Sequence, residues 1–254
     1  INQYKDLKPL KKSSYKENLT LDQLINNNLQ EYYGISSVKI ASLINLAGSI
    51  SDKGFYYRLI KKILTGDEKE IKELVKADIT IKAVRIEINK KPRESLSSPV
   101  FRFVEDIYNS NWDDSEWKKI IEKKYLFVFF KKNTVGDYVL KSFRIWNMPM
   151  EDVEECRKVW LKTKKVISSG NIFNSYKYKK NGELRLTKHG QPYKKNNLPN
   201  SKDSKVCHVR PHATDASKVF PLPIMDKKLK VMEYSKQCFW LNRDYIGSIY
   251  QTMS

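Results

Sequence analysis

Residues 79–88 read ITIKAVRIEI and predict the β-strand on which the interpretation of this chain depends. The segment is rich in β-branched residues, and apolar residues at 84, 86 and 88 alternate with Arg85, Glu87 and Asn89. Because successive side chains of a strand point to opposite faces, these three polar side chains are expected to share one face.

Other segments predict the elements that surround this strand. Residues 125–130 read YLFVFF and predict a fully buried strand, and residues 138–146 predict its antiparallel neighbour across a turn at Gly136-Asp137. Helices are expected at 54–64, 115–123, 151–167 and 244–252, with helical pieces within 19–47 and 67–76 and short strands at 207–210 and 239–242. This mixture predicts a mixed α/β (α+β) class.

The composition excludes a disordered chain and points to a polyanionic partner. Of the 254 residues, 40% are apolar and 12% aromatic, which is enough to form a core. The net charge is +19, which makes nucleic acid, an anionic membrane surface and an acidic protein the candidate partners. The membrane surface is the weakest candidate, because no basic amphipathic helix with a Trp/Leu face is present in the sequence. No apolar run approaches the ~20 residues of a membrane span, so a soluble, cytoplasmic protein is expected.

Cysteines and histidines do not predict a metal site. The cysteines at 156, 207 and 238 are too far apart for a CxxC pair, and their odd number argues against a disulfide framework. Cys207-His208 followed by His212 is the nearest approach to a ligand set, but it completes neither an HExxH motif nor a closed zinc site. We therefore expect reduced cysteines and no metal bound by these residues.

Carboxylates on a strand suggest a different chemistry. Metal-dependent nucleases hold Mg²⁺ with two or three carboxylates and use a Lys to activate water, and a strand carrying Glu-x-Lys supplies two of these groups. Glu70-Ile71-Lys72 matches the letters, but it lies in a stretch predicted to be helical and exposed, where an ordinary surface pair is expected. Glu87, at the end of the 79–88 strand, is the better candidate.

The segment around Glu87 resembles a known active-site strand. Residues 86–96, IEINKKPRESL, are similar to the catalytic strand and following loop of the MutH mismatch-repair nicking endonuclease and its restriction-enzyme relatives of the Sau-three-AI type, which act at GATC. In that family the segment reads apolar, Glu, apolar, Lys, and then Pro and an acidic-Ser-Leu triplet. Glu87, Pro92 and residues 94–96 fit, whereas Asn89 stands at the catalytic Lys position.

The resemblance places other residues at the remaining catalytic positions. Residues 54–66 are similar to the family helix that carries an additional Glu, and the matching position is Lys61. The family Asp, seven residues before the strand Glu, matches Thr80. In a second register Asp78 is that Asp, and Arg85 and Glu87 then replace the family's Glu and Lys. The resemblance therefore implies that the catalytic set is broken in either register.

The resemblance extends through about residues 50–254 and includes the DNA-reading half. The matching motifs, in family order, are GNI at 170–172, KHG at 188–190, HVRPHA at 208–213 and FWLNR at 239–243. The DNA contacts carried over by position are Lys188, Arg210, His212, Trp240, Asn242 and Arg243. Independently of the family, Arg can bind guanine, Asn adenine and an aromatic ring a thymine methyl group, although each residue alone would more often be structural.

The resemblance implies a restriction-endonuclease-like (MutH-like) fold, as one domain over 1–254. Two lobes are expected to flank a DNA-binding cleft, a pseudo-catalytic lobe at about 1–150 and a DNA-reading lobe at 151–254. Because the chain begins with Ile1, a C-terminal fragment of a longer chain is expected. Its implied partner in that chain is an N-terminal catalytic domain, and its implied location is the bacterial cytoplasm.

The function expected from these features is non-catalytic binding of duplex DNA containing GATC, as the effector domain of a type II restriction endonuclease. No cofactor is expected in this chain, Mg²⁺ is expected in the parent enzyme, and no membrane or small-molecule substrate is expected. One alternative is an active, Mg²⁺-dependent endonuclease that uses Asp78, Glu87 and a migrated Lys such as Lys82 or Lys90. Another is a basic scaffold that binds nucleic acid without sequence preference.

Overall fold

The computed structural model describes residues 6–11, 19–187, 190–212 and 218–252. Its α-helices are α1 (Leu21–Leu29), α2 (Ser37–Leu43), α3 (Phe55–Thr65), α4 (Lys72–Lys76), α5 (Glu116–Ile121), α6 (Met150–Ser168) and α7 (Arg243–Gln251). Its strands are β1 (Ile79–Ile86), β2 (Leu96–Phe101), β3 (Lys124–Lys132), β4 (Tyr138–Trp146), β5 (Phe173–Tyr176), β6 (Lys194–Asn196), β7 (Cys207–Pro211), β8 (Val219–Pro221), β9 (Glu233–Ser235) and β10 (Gln237–Leu241). The mixed α/β class is confirmed.

The chain forms two compact units. One contains residues 1–94, 123–148 and 247–254, and the other contains residues 95–122 and 149–246. A single boundary near residue 150 does not describe this division. The reason is strand pairing, because β3 joins β1 in the first unit while β2 joins β10 in the second.

The first unit is built on a sheet with the strand order β1-β3-β4. β1 runs parallel to β3, and β3 pairs antiparallel with β4. Residues 125–130 of β3 are buried throughout, as the apolar run predicted, and the antiparallel neighbour at 138–146 is confirmed. The core beside the sheet includes Leu59, Ile60 and Ile63 of α3, a helix that begins and ends next to left-handed glycines. β1 is therefore paired with β3 along its whole length, from Ile79 to Ile86.

The second unit contains a sheet with the order β2-β10-β7, in which both pairs are antiparallel. Phe239 of β10 is buried on one face, where it stacks on Trp117 with ring centroids 4.9 Å apart and also packs on Phe101. Trp240 and Arg210 occupy the opposite face by strand alternation. The pairs β5-β6 and β8-β9 and a π-helix at Phe103–Tyr108 complete this unit.

Two sequence expectations concern features outside the sheets. Cys156, Cys207 and Cys238 form no disulfide, in line with the expected reduced thiols, and all three are buried. In the part of the chain that the structure describes, we find no helix with the length and apolarity needed to span a membrane.

Candidate nucleic-acid interface

The chain turns sharply at the end of β1, directly at Glu87. The amide of Glu87 donates to the carbonyl of Lys91 at 2.8 Å, and the amide of Arg93 donates to the carbonyl of Arg85 at 2.7 Å. Lys90 adopts a left-handed conformation with φ 63°. The expectation that the strand reaches residue 88 is therefore wrong, because a tight turn replaces its last two residues.

Asn89 consequently does not share a strand face with Glu87. Its side-chain Oδ1 accepts a hydrogen bond from the amide of Lys91 at 3.1 Å, a local contact that stabilises the turn. The residue at the family's catalytic Lys position thus holds the backbone of this loop.

The carboxylate of Glu87 contacts protein donors and cations. The hydroxyl of Tyr138 donates to Oε1 at 2.6 Å, and the Nζ of Lys132 lies 3.5 Å from Oε2. Arg93 in turn donates to the Tyr138 hydroxyl at 3.3 Å. The hydrogen bond from Tyr138, together with the nearby charges of Lys132 and Arg93, lowers the pKa of Glu87. Glu87 therefore acts as a hydrogen-bond acceptor and a counterion.

The other positions that the resemblance assigned to catalysis do not lie beside Glu87. Thr80 is near the opposite end of β1, about 23 Å away at ~3.3 Å per residue, and an odd spacing places it on the opposite face. Asp78 lies beyond Thr80 and pairs with Lys123 at 3.1 Å. Lys61 is buried on α3 and forms an ion pair with Glu70 at 3.0 Å. Neither register of the resemblance brings an Asp to Glu87.

These residues do not fit a Mg²⁺ ion, which binds carboxylate oxygens in an octahedral arrangement. Glu87 already accepts from Tyr138 and faces Lys132, and among the described residues no group of three or more His, Cys, Asp or Glu side chains could hold a metal ion. Lys82 lies five residues before Glu87 and so faces the other side of the sheet, where burial lowers its pKa. The rearranged catalytic set with Lys82 is not assembled.

Three of the proposed DNA-contacting residues form one cluster on the β7–β10 sheet. The guanidinium carbon of Arg210 lies 3.8 Å from the centre of the Trp240 ring, and the ring of His212 lies 5.9 Å from it. The indole Nε1 of Trp240 donates to the carbonyl of Arg210 at 3.3 Å. Arg210 and His212 are exposed and Trp240 is half-buried. We call Arg210, His212 and Trp240 the aromatic-cation cluster.

Asn242 shares the sheet face but is turned into the protein. Its Nδ2 donates to the carbonyl of Ser204 at 2.7 Å, and its Oδ1 lies 2.5 Å from Nδ1 of His208. Because the amide nitrogen is the donor to Ser204, Oδ1 is the acceptor and Nδ1 of His208 carries the hydrogen. Both polar atoms of the buried Asn242 amide are thus satisfied internally, which gives Asn242 a structural role in this unit.

The remaining DNA-contact candidates are less well defined. Arg243 begins α7 and is exposed, with Nε 4.0 Å from a carboxylate oxygen of Asp244. Lys188 lies outside the described residues. Lys194 and Lys195 are exposed on β6, where they can contact phosphates.

Sequence reasoning missed the partners that hold these groups. His208 anchors Asn242, although the sequence singled it out only as a weak metal-ligand candidate and as part of the HVRPHA motif. Tyr138 and Lys132 hold Glu87, and neither was singled out. Each of these residues lies on a strand, and the pairing of that strand with its neighbour positions the side chain. His208, for example, lies directly opposite Trp240. The alternation of side chains along each strand could be inferred from the sequence. The pairing of β7 with β10 could not be.

The small mixed α/β sheets and the basic, aromatic surface are consistent with a restriction-endonuclease-like fold and a DNA-binding, nuclease-related class. The chain is 28% identical over 259 residues to the type II restriction enzyme Sau3AI of Staphylococcus aureus. The match covers 89% of this chain and 50% of that enzyme, so the chain spans about half the length of its relative. This similarity supports assignment to a Sau3AI-like family. No protein-family model matches the chain.

Proposed function

We propose that this chain binds duplex DNA containing GATC and acts as the non-catalytic effector domain of a type II restriction endonuclease. The observation that carries the proposal is the aromatic-cation cluster, in which the β7–β10 register holds the exposed Arg210 against the half-buried Trp240. An Arg held in one orientation can present its fork to guanine, and a neighbouring ring can contact a thymine methyl group.

The environment of Glu87 supports the non-catalytic part of the proposal. Cleavage with Mg²⁺ requires negative charge around the metal, whereas here Lys132 and Arg93 surround the carboxylate and its hydrogen-bonded Tyr138. Mg²⁺ would then belong to the parent enzyme and its N-terminal catalytic domain. The extent of the similarity to Sau3AI, half of that enzyme, is compatible with such a division of roles.

The first test compares binding to labelled duplexes with GATC or a scrambled site, followed by fluorescence anisotropy at matched salt. Phosphate contacts alone do not separate the two sequences, so a preference of about tenfold, or ~1.4 kcal/mol, supports specific readout. Arg210→Ala is expected to remove about 1–3 kcal/mol of that preference. Arg157→Ala is the matched control, because Arg157 is exposed in the same unit and pairs with Glu154 of α6.

The alternatives predict different results. A basic scaffold binds both duplexes alike, and Arg210→Ala then weakens both equally. An active endonuclease nicks plasmid DNA in Mg²⁺ or Mn²⁺, and Glu87→Ala abolishes the nicking. Either result would contradict the proposed role.

A further inference from the structure

We propose that the surface beside Glu87 binds a backbone phosphate of DNA through lysines in place of a divalent metal. The inference rests on the DNA binding proposed above and follows from the poor fit of Mg²⁺ to this site. It assigns a function to the first unit that is separate from base reading by the aromatic-cation cluster.

An open depression of about 590 Å³ lies next to Glu87 on the first unit. Its wall includes Ile88, which follows Glu87, and three lysines, Lys131, Lys132 and Lys141. Among the described residues, no acidic side chain lines it. Three lysines and no carboxylate among the lining residues place net positive charge around the depression, which favours an anion, and its open shape admits a strand of nucleic acid.

The sheet holds the lysines around this depression. Lys132 pairs in register with Tyr138, and its Nζ lies 5.8 Å from the Tyr138 ring as well as 3.5 Å from Glu87. Lys131 pairs in register with Val139, two residues before Lys141 on β4. The turn after β1 therefore fixes Glu87, and Glu87 and Tyr138 fix the ammonium group of Lys132.

The charge around the depression is only partly compensated. Glu87 faces Lys132, whereas Lys131 and Lys141 form no ion pair within the described ranges. Bringing ammonium groups together on a protein costs free energy that a bound anion removes. Lys132 supplies the ammonium group next to Glu87, so a phosphate oxygen bound there would contact a lysine in place of a metal ion.

The test uses the double variant Lys131→Ala/Lys141→Ala and measures duplex binding over a range of salt. The matched control is Lys76→Ala/Lys124→Ala, which removes two exposed lysines near the opposite end of the same sheet that form no ion pair with any described residue. Each lost phosphate contact lowers the slope of log K against log salt by about 0.9. We expect the double variant to lose about tenfold in affinity and one to two units of slope, and the control to keep the slope.

Metal dependence supplies a second readout. The wild type is expected to bind equally in EDTA and in Mg²⁺ at matched ionic strength, and Glu87→Gln is expected to bind DNA at least as tightly, because it removes a negative charge beside the phosphate. A metal site gives the opposite result, since Mg²⁺ strengthens binding and Glu87→Gln abolishes that gain.

The outcomes separate this inference from the proposed function. If the wild type does not bind duplex DNA, the proposed function fails. If it binds but the double variant matches the control in slope, or binding requires Mg²⁺ through Glu87, only the phosphate site is overturned. Inorganic phosphate can also be tested as a competitor of DNA for the wild type at matched ionic strength. If it competes while the double variant binds DNA normally, the site binds a free anion, and the inference is again overturned.

Discussion

The amide of Asn242 is fully engaged inside the second unit, so its replacement is expected to affect stability first. Asn242→Ala leaves the Ser204 carbonyl and His208 Nδ1 without partners in a buried environment, which costs about 1–3 kcal/mol for each group. We expect the free energy of unfolding in urea to fall by about 2 kcal/mol or more.

The neighbouring Arg243 provides the control for this change. Arg243→Ala alters an exposed side chain and is expected to change stability by no more than about 0.5 kcal/mol. If Asn242→Ala instead unfolds like the wild type but loses the preference for GATC, the result would support the base contact that the sequence suggested for Asn242.

His208 makes the stability of this unit depend on pH. Burial, aided by the positive charge of Arg210, lowers the pKa of His208 below its ordinary value, although the hydrogen bond with Asn242 opposes the shift. Between the two pKa values the unfolded chain binds a proton that the folded chain does not, so stability is complete above about pH 6.5 and decreases as the pH falls below it.

The measurement is urea unfolding about one pH unit above and below that value. His208→Gln is expected to flatten the dependence, and His212→Gln, which alters an exposed ring, is the control. Equal pH dependence in the wild type and His208→Gln would rule out this linkage.

At the level of elements, the end of α6 depends on a close backbone approach. Gly170 has φ +63°, and a Cβ there would lie 2.7 Å from the Met225 carbonyl oxygen. The segment is also held by a hydrogen bond from the Lys227 amide to the Gly170 carbonyl at 2.8 Å. Gly170→Ala is therefore expected to destabilise the fold by more than the ~1–2 kcal/mol of left-handed backbone strain.

Gly182→Ala is the comparison for Gly170→Ala. Gly182 has φ +84°, but a Cβ would meet no atom within 4 Å, so only the conformational cost applies. In thermal and urea denaturation, the Gly170→Ala variant should be clearly less stable than the Gly182→Ala variant. Equal stabilities would mean that the 225–227 segment moves away without cost.

The elements that the sequence predicted are those with a local signal. β3 was predicted from its uninterrupted apolar run, and β4 from its spacing across the turn. β2 was missed because Ser97, Ser98 and Pro99 do not look like a strand, yet an edge strand tolerates Pro and its partner β10 is distant in sequence. The formation of β2 therefore depends on long-range strand pairing, which local sequence patterns do not reveal.

In the candidate site, too, the residues with a local sequence signal were predicted, and the contacts that depend on long-range pairing were not. The strand pattern identified Glu87, and the order of motifs identified Arg210 and Trp240. Neither indicated that Asn89 would cap a turn or that Lys132 would face the carboxylate, because both contacts depend on how the chain reverses after β1. Predicting them requires the strand registers.

At the level of the whole molecule, the proposed effector role implies coupling between two DNA sites. In the parent enzyme, DNA bound to this domain at one GATC would increase cleavage at another. Coupling free energies of about 1–3 kcal/mol correspond to 5–150-fold effects. The parent enzyme should therefore cut a two-site plasmid faster than a one-site plasmid by a factor in that range.

Arg210→Ala in the parent chain is expected to reduce this ratio toward one while leaving slow cleavage of the one-site plasmid intact, because Arg210 lies in the domain that binds the second site. Arg157→Ala should keep the ratio of the wild type, since its guanidinium pairs with Glu154 on the same helix. Adding a short GATC duplex in trans should stimulate the one-site reaction of the wild type but not of Arg210→Ala. Equal cleavage of both plasmids by the wild type would refute the effector role, even if the isolated chain binds GATC specifically, because binding without coupling is not allostery.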